Sequence, residues 1–203
     1  MKGIKGLLCL VGIVLLGFSC GKTSLSPKQY VDYVTDSTHG LRVSKTVGDL
    51  VVELQYRPIP FVVANELRRN DISAATYQAR LEALEGGQYY HLKLAIKGGQ
   101  SDVTKYKVTD ENAYQQRIHY LSFALKNDIH LVDGRDTLRA KLFHFERAYD
   151  IAKYRSFLLS FPATDNLADK VFIFESPIFE TGPLKLRFKK EDLEDLPDLK
   201  LVN

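Results

Sequence analysis

The sequence predicts an α+β fold: a mostly antiparallel sheet or β-sandwich with a few short amphipathic helices packed on it. Three observations carry that expectation. Apolar and polar residues alternate with a period of two over 50–57 and 89–97, as half-buried strands require. Apolar residues recur at helical spacing over 77–84 and 114–125, giving each segment one apolar face. The last third breaks into short apolar runs separated by Pro162, Pro177 and Gly182-Pro183. Strands and helices mixed in this way belong to α+β architecture.

The first segment reads as an address. Lys2 and Lys5 precede an uncharged apolar run over 6–18, the layout of a secretory signal peptide. The run is shorter than the roughly 18–20 apolar residues of a bilayer span. Leu15-Leu16-Gly17-Phe18-Ser19-Cys20 resembles a lipobox, the stretch that lipoprotein signal peptidase cuts before an acylated cysteine. Small Ser19 fits the pattern; Leu16 sits one place further back than the commonest form, and Phe18 is bulky. The resemblance implies that 1–19 is removed and that Cys20 is lipidated, against the alternatives of an uncleaved anchor or a free cysteine. Cys9 would leave with the signal, so Cys20 becomes the one cysteine and no intramolecular disulfide can form. Each buried acyl methylene contributes about 0.8 kcal/mol, and two or more chains anchor a protein stably.

The expected organisation is a signal over 1–19, a lipidated tether over 20–26 and a single α+β domain over 27–203. Two of the 28 basic residues leave with the signal and none of the 25 acidic ones, so the formal charge of +3 falls almost to neutrality. No strong field remains to recruit nucleic acid.

Along the domain, Ser26-Pro27 reads as N-cap and first residue of a short helix carrying Tyr30, Val31 and Val34. Thr38-His39-Gly40 breaks it. Residues 41–57 read as a hairpin turning at Gly48-Asp49; Pro58 and Pro60 end it, and 61–69 is expected to be helical. Ser73 caps a helix with Tyr77, Leu81 and Leu84, stopped by Gly86-Gly87. Tyr90, Leu92, Leu94 and Ile96 mark the next strand. Thr109 is the expected cap of a helix with Tyr114, Ile118, Leu121 and Leu125 on one face, ending at Asn127. A short apolar run over 129–132 meets a turn at Asp133-Gly134. Residues 137–147 fit either a helix face or the second arm of a hairpin, with the strand preferred. Runs over 157–161, 171–174 and 184–188 complete the strands before a polar tail over 189–195.

Three stretches resemble uncharacterised lipoproteins of Bacteroidetes-type bacteria. They are His39-Gly40-Leu41-Arg42-Val43-Ser44-Lys45 with Gln55-Tyr56-Arg57-Pro58; Asp136-Thr137-Leu138 with Phe143-His144-Phe145-Glu146-Arg147; and Gly182-Pro183-Leu184-Lys185-Leu186-Arg187-Phe188 with Asp192 and Leu193. The resemblance brings no activity and no catalytic residue. It does bear on location: surface-displayed lipoproteins of such bacteria carry acids soon after the cysteine, whereas Gly21-Lys22-Thr23-Ser24-Leu25 has none. The implied place is the outer membrane, facing the periplasm.

Sequence motifs for chemistry are weak. Gly21-Lys22-Thr23 resembles the end of a phosphate loop, but Leu16 stands where its first glycine is needed. His39, His91, His119, His130 and His144 are scattered, and His144-x-Glu146 is the tightest pairing; zinc needs three or four converging ligands. No G-x-S-x-G is present, and Ser160 lies in an apolar run. Asp133 and Asp136 suggest a turn, not a calcium loop. Asp192, Glu194 and Asp195 read as a solvated tail. Glu146 beside Arg147 reads as a structural ion pair before an acid–base group. Of the aromatics Tyr89, Tyr90, Phe143, Phe145, Tyr149, Phe172, Phe174 and Phe179, most are expected in the core.

No metal, cofactor or catalytic residue is therefore expected, and His144 and Glu146 are the candidates for a polar site. The first expectation is a non-enzymatic, lipid-anchored scaffold or interaction component whose partners are the membrane, through Cys20, and cell-envelope proteins. The alternative is a periplasmic binder of a lipid, glycan or peptide in an aromatic-lined cleft. A hydrolase with a scattered site comes last.

Overall fold

Alternating segments become strands, and apolar stripes become helices or helical turns. The computed structural model describes residues 22–68, 71–99, 101–146 and 152–202. In chain order these form β1 (Ser24–Leu25), α1 (Pro27–Thr35), β2 (Arg42–Val47), β3 (Leu50–Arg57), α2 (Ile59–Leu67), α3 (Ala74–Leu84) and β4 (Gly87–Ile96). There follow α4 (Glu111–His119), β5 (Ile129–Asp133), β6 (Asp136–Leu138), β7 (Leu142–Glu146), β8 (Tyr154–Pro162), β9 (Lys170–Phe174), β10 (Leu184–Phe188), α5 (Lys190–Glu194) and β11 (Asp198–Leu199). The signal segment, Cys20, Arg147 and Tyr149 lie outside the described residues.

Two antiparallel sheets dominate. One has five strands in the order β2-β3-β4-β8-β7, the other four in the order β10-β9-β5-β6. In the first, register places Val43, Leu54, Leu92, Phe157 and Phe145 in one row across all five strands. In the second, Leu186, Phe172, Leu131 and Leu138 form the matching row. These rows share one continuous apolar core. Each large apolar side chain buried there contributes about 1.5–3 kcal/mol relative to exposure. The architecture is thus the expected α+β fold, a two-sheet sandwich with helices added.

The helices keep smaller cores of their own. Tyr30, Val34, Leu41 and Phe61 form one, and Val63, Ala64 and Ile72 another. Ser26 starts α1 in extended backbone, and the Gln29 side chain accepts hydrogen bonds from the Ser26 N–H at 3.1 Å and its hydroxyl at 2.8 Å. Gly40, at φ +69°, turns the chain into β2. Pro58 and Pro60 both end β3 and open α2, because the first helical turn has unbonded N–H groups that proline simply lacks.

Several boundaries differ from expectation. The 109–127 helix is capped by Asp110, whose side chain accepts from the Ala113 N–H, and after His119 it loosens into a π-turn over 120–124 and a 3-10 turn. Residues 137–147 are extended, but not as one hairpin arm. β6 pairs with β5 in the smaller sheet, whereas β7 crosses to pair with β8 in the larger one. The end of the tether is part of the fold: β1 pairs in parallel with β11. The polar tail is structured as well. Asp192 on α5 lies so close to Gly40 that a Cβ there would meet its carboxylate, and Leu193 packs on the core.

Candidate functional site

Side chains alternate across a strand, so the rows between the core rows point out of the sandwich. On the larger sheet one outward row reads Arg42, Gln55, His91, Leu158 and His144; the next reads Ser44, Glu53, Lys93, Ser156 and Glu146. Arg57 begins a third, beside Tyr89. Helices α1 and α2 stand over the β2–β3 side of this face. Thr35, Phe61, Asn65, Glu66 and Arg68 thereby wall a cavity of about 620 Å³ whose floor is the charged rows.

The packing of the helices places its cations. Gln55 is buried although it lies on the outer face, because its amide donates to the carbonyls of Val34 at 2.8 Å and Leu41 at 2.9 Å. That bond ties the end of α1 to the sheet. Arg42 donates from Nη2 to the Thr35 carbonyl, while its buried Nε makes no hydrogen bond. The Arg57 guanidinium sits 5.4 Å from the centre of the Phe61 ring, a cation–π arrangement. Burial works against its charge, and the more distant Glu146 and Glu66 carboxylates oppose that loss. Arg68 closes α2 in the left-handed conformation at φ +50°. Among the described residues, no carboxylate stands within ion-pair distance of Arg42, Arg57 or Arg68.

The carboxylates of the cavity are answered differently. Glu53 pairs with Lys93 at 3.4 Å, and Glu66 with Arg80. Glu146 Oε2 lies 3.4 Å from His91 Nε2, within ion-pair reach although Nε2 makes no hydrogen bond. Burial chiefly, then Lys93 and Arg57, hold His91 below the usual imidazole range, against the pull of Glu146.

Of the two polar-site candidates, Glu146 lines this cavity. His144 shares its strand face, as the i, i+2 spacing requires, but is exposed outside the lining. The expected Arg147 partner is outside the described residues; the partner found for Glu146 is His91. Sequence reasoning missed Arg42, Arg57, Arg68, Glu53, Lys93 and His91. A usable signal existed in the polar halves of the alternating strands, all of which belong to one face once β2, β3 and β4 are neighbours.

Two other cavities lie beside side-chain hydrogen-bond clusters. One of about 430 Å³ touches Asp128, His130, Arg139 and Ser176, where the Tyr120 hydroxyl lies 2.7 Å from both Asp128 Oδ2 and Ser176 Oγ. One of about 260 Å³ touches Gln88, Thr164, Asn166 and Lys170, all of which bond to Asp133. His119 packs instead against Phe123. Among the described residues, no group of three or more His, Cys, Asp or Glu side chains converges as a metal site. Comparison with protein families, curated proteins and solved structures finds no match to this chain.

Proposed function

We propose that this protein is a lipid-anchored, non-enzymatic envelope protein whose outer-face basin binds a small anionic solute. One observation carries the reading: three guanidiniums, Arg42, Arg57 and Arg68, border a cavity of about 620 Å³ without a carboxylate partner among the described residues. Guanidinium forks match carboxylate and phosphate oxygens in pairs, and the volume lies in the range of small-molecule sites. The basin shifts the reading from scaffold to ligand binder. It also changes the expected ligand chemistry, because Phe61 is the one phenylalanine or tyrosine among the described residues of a mostly charged lining.

Binding is favoured over catalysis by the cavity's hydroxyls. Among the described residues, Thr35 supplies the one hydroxyl in the lining, and it donates back to the Val31 carbonyl of its own helix at 2.8 Å. The His91–Glu146 pair thus has no nucleophile placed for it to activate. The anchor rests on Cys20, with the outer membrane facing the periplasm as the proposed location.

Isothermal titration of the full chain with inorganic phosphate and with succinate tests the basin. Saturable binding that Arg57→Gln abolishes is the expected result; heats that Arg57→Gln leaves unchanged would reject the site. Metabolic labelling with a palmitate analogue, lost in Cys20→Ala, tests the anchor separately.

A further inference from the structure

We infer that the ligand is dipolar, with its anionic group held by Arg42, Arg57 and Arg68 and a primary ammonium received by Glu146. The inference rests on the anion-binding reading and names the ligand class of the same basin. Among the described residues, three carboxylates line the cavity, Glu53, Glu66 and Glu146. Lys93 answers Glu53 and Arg80 answers Glu66. Glu146 has no lysine or arginine within ion-pair distance among the described residues; it has His91, whose charge burial opposes.

A purely anionic ligand would therefore bring its charge into a basin that already holds a carboxylate with no lysine or arginine partner among the described residues. Removing charge from water without a partner is costly, and an ammonium on the ligand supplies that partner. Glu146 keeps room for it, since its side chain is 41% exposed.

Register sets the span between the two charges. The Glu146 row is displaced from the Arg42 row by two residues along the strands, and from Arg57 by four. Along the strands that is about 7 Å and about 13 Å, and β7 lies four strands from β2 and three from β3, about 19 Å and about 14 Å across at the strand spacing, so the backbones stand about 20 Å apart before the long side chains close the gap. Arginine and glutamate side chains reaching inward cover about half of that distance, and an extended tripeptide, at about 10 Å end to end, bridges what remains. Leu158 and Phe61, the two apolar side chains among the described residues of the lining, suit the uncharged middle of such a molecule.

The test titrates the full chain with inorganic phosphate, tri-alanine, phosphoethanolamine and the N-acetylated forms of the last two. Acetylation removes the ammonium and keeps the anion. At least one amine-bearing probe is expected to bind about tenfold or more tighter than its acetylated form, the scale of one charge-assisted hydrogen bond. Glu146→Gln should erase that preference while phosphate binding holds or strengthens, because the neutral amide no longer repels the anion. A carboxylate winning over a phosphate, or the reverse, assigns the anionic group within the supported class. Phosphate binding with no amine preference, or a preference that survives Glu146→Gln, overturns the dipolar ligand and spares the basin. Failure of every probe, phosphate included, overturns both. An unchanged thermal midpoint in Glu146→Gln confirms that the variant is folded.

Discussion

Asp133 is fully buried at the end of β5, and replacing it by alanine should cost more than any surface change. Its Oδ2 accepts from Lys170 Nζ at 2.5 Å, the Thr164 hydroxyl at 2.7 Å and the Gln88 amide at 2.8 Å. Gln88 belongs to the larger sheet and Lys170 to the smaller, so one carboxylate joins both layers. Lys170 is 12% exposed. Asp133→Ala leaves that ammonium without its counter-charge, a loss of about 3–5 kcal/mol for a broken buried pair. The Thr164 hydroxyl loses its acceptor as well, whereas Gln88 still donates to the Pro162 carbonyl at 2.9 Å. At roughly 2–4 °C per kcal/mol for a domain of this size, the midpoint should fall by about 6–20 °C. Thermal unfolding followed by far-ultraviolet circular dichroism measures the midpoint, and urea titration measures the free energy. Asp133→Asn keeps an acceptor oxygen and should lose less than alanine. The double variant Asp133→Leu with Lys170→Met should recover much of the loss, since a buried pair is often replaceable by packed apolar groups. An alanine variant within about 1 kcal/mol of the parent would show that the pair does not join the sheets energetically.

Acidification should weaken the fold through its half-buried histidines. His91 and His130 both titrate below the usual 6.5 because burial disfavours their charged forms, with Arg139 adding to the effect at His130. A depressed folded-state pKa means that protonation favours the unfolded chain. The stability these groups contribute is therefore complete above about pH 6.5 and is lost as pH falls below it. Denaturation midpoints measured from pH 7.5 to 5 should show the decline, and His91→Gln should flatten it; an unaltered slope in that variant would place the proton uptake elsewhere. Gly40→Ala should destabilise by about 1–2 kcal/mol, because φ is positive there and a Cβ would meet the Asp192 carboxylate. Asp192→Ala in the same chain should return the steric part, leaving the backbone part, as thermal unfolding of the three variants would show.

The legible part of the structure was the part written in local pattern. Leu50, Val52 and Leu54 alternate with Val51, Glu53 and Gln55, and Tyr90 to Ile96 alternate likewise; each set lies on the core face it was expected to occupy. Ser26-Pro27 and Ser73 mark helix starts by the chemistry of the first turn. The cap at Thr109 was one residue early because Asp110 offers the stronger acceptor. Asp133 read as a turn residue, and it does precede the turn. Its burial depends on Gln88, Thr164 and Lys170 arriving from distant segments, which no local pattern records.

The candidate site divides in the same way. Glu146 stood out in the sequence for its place among phenylalanines, and its strand face with His144 followed from spacing alone. That β7 leaves the smaller sheet to join β8 was not legible, because a five-residue strand carries no mark of its partner. This crossing brings Glu146 to His91, and the seating of α1 and α2 turns a polar strand face into a cavity edged by Arg42, Arg57 and Arg68. The sequence by itself determined which residues face outward, since alternation is a property of each strand. Tertiary structure decided which outward residues meet, because strand order and helix placement arise from burying the whole chain's apolar surface at once.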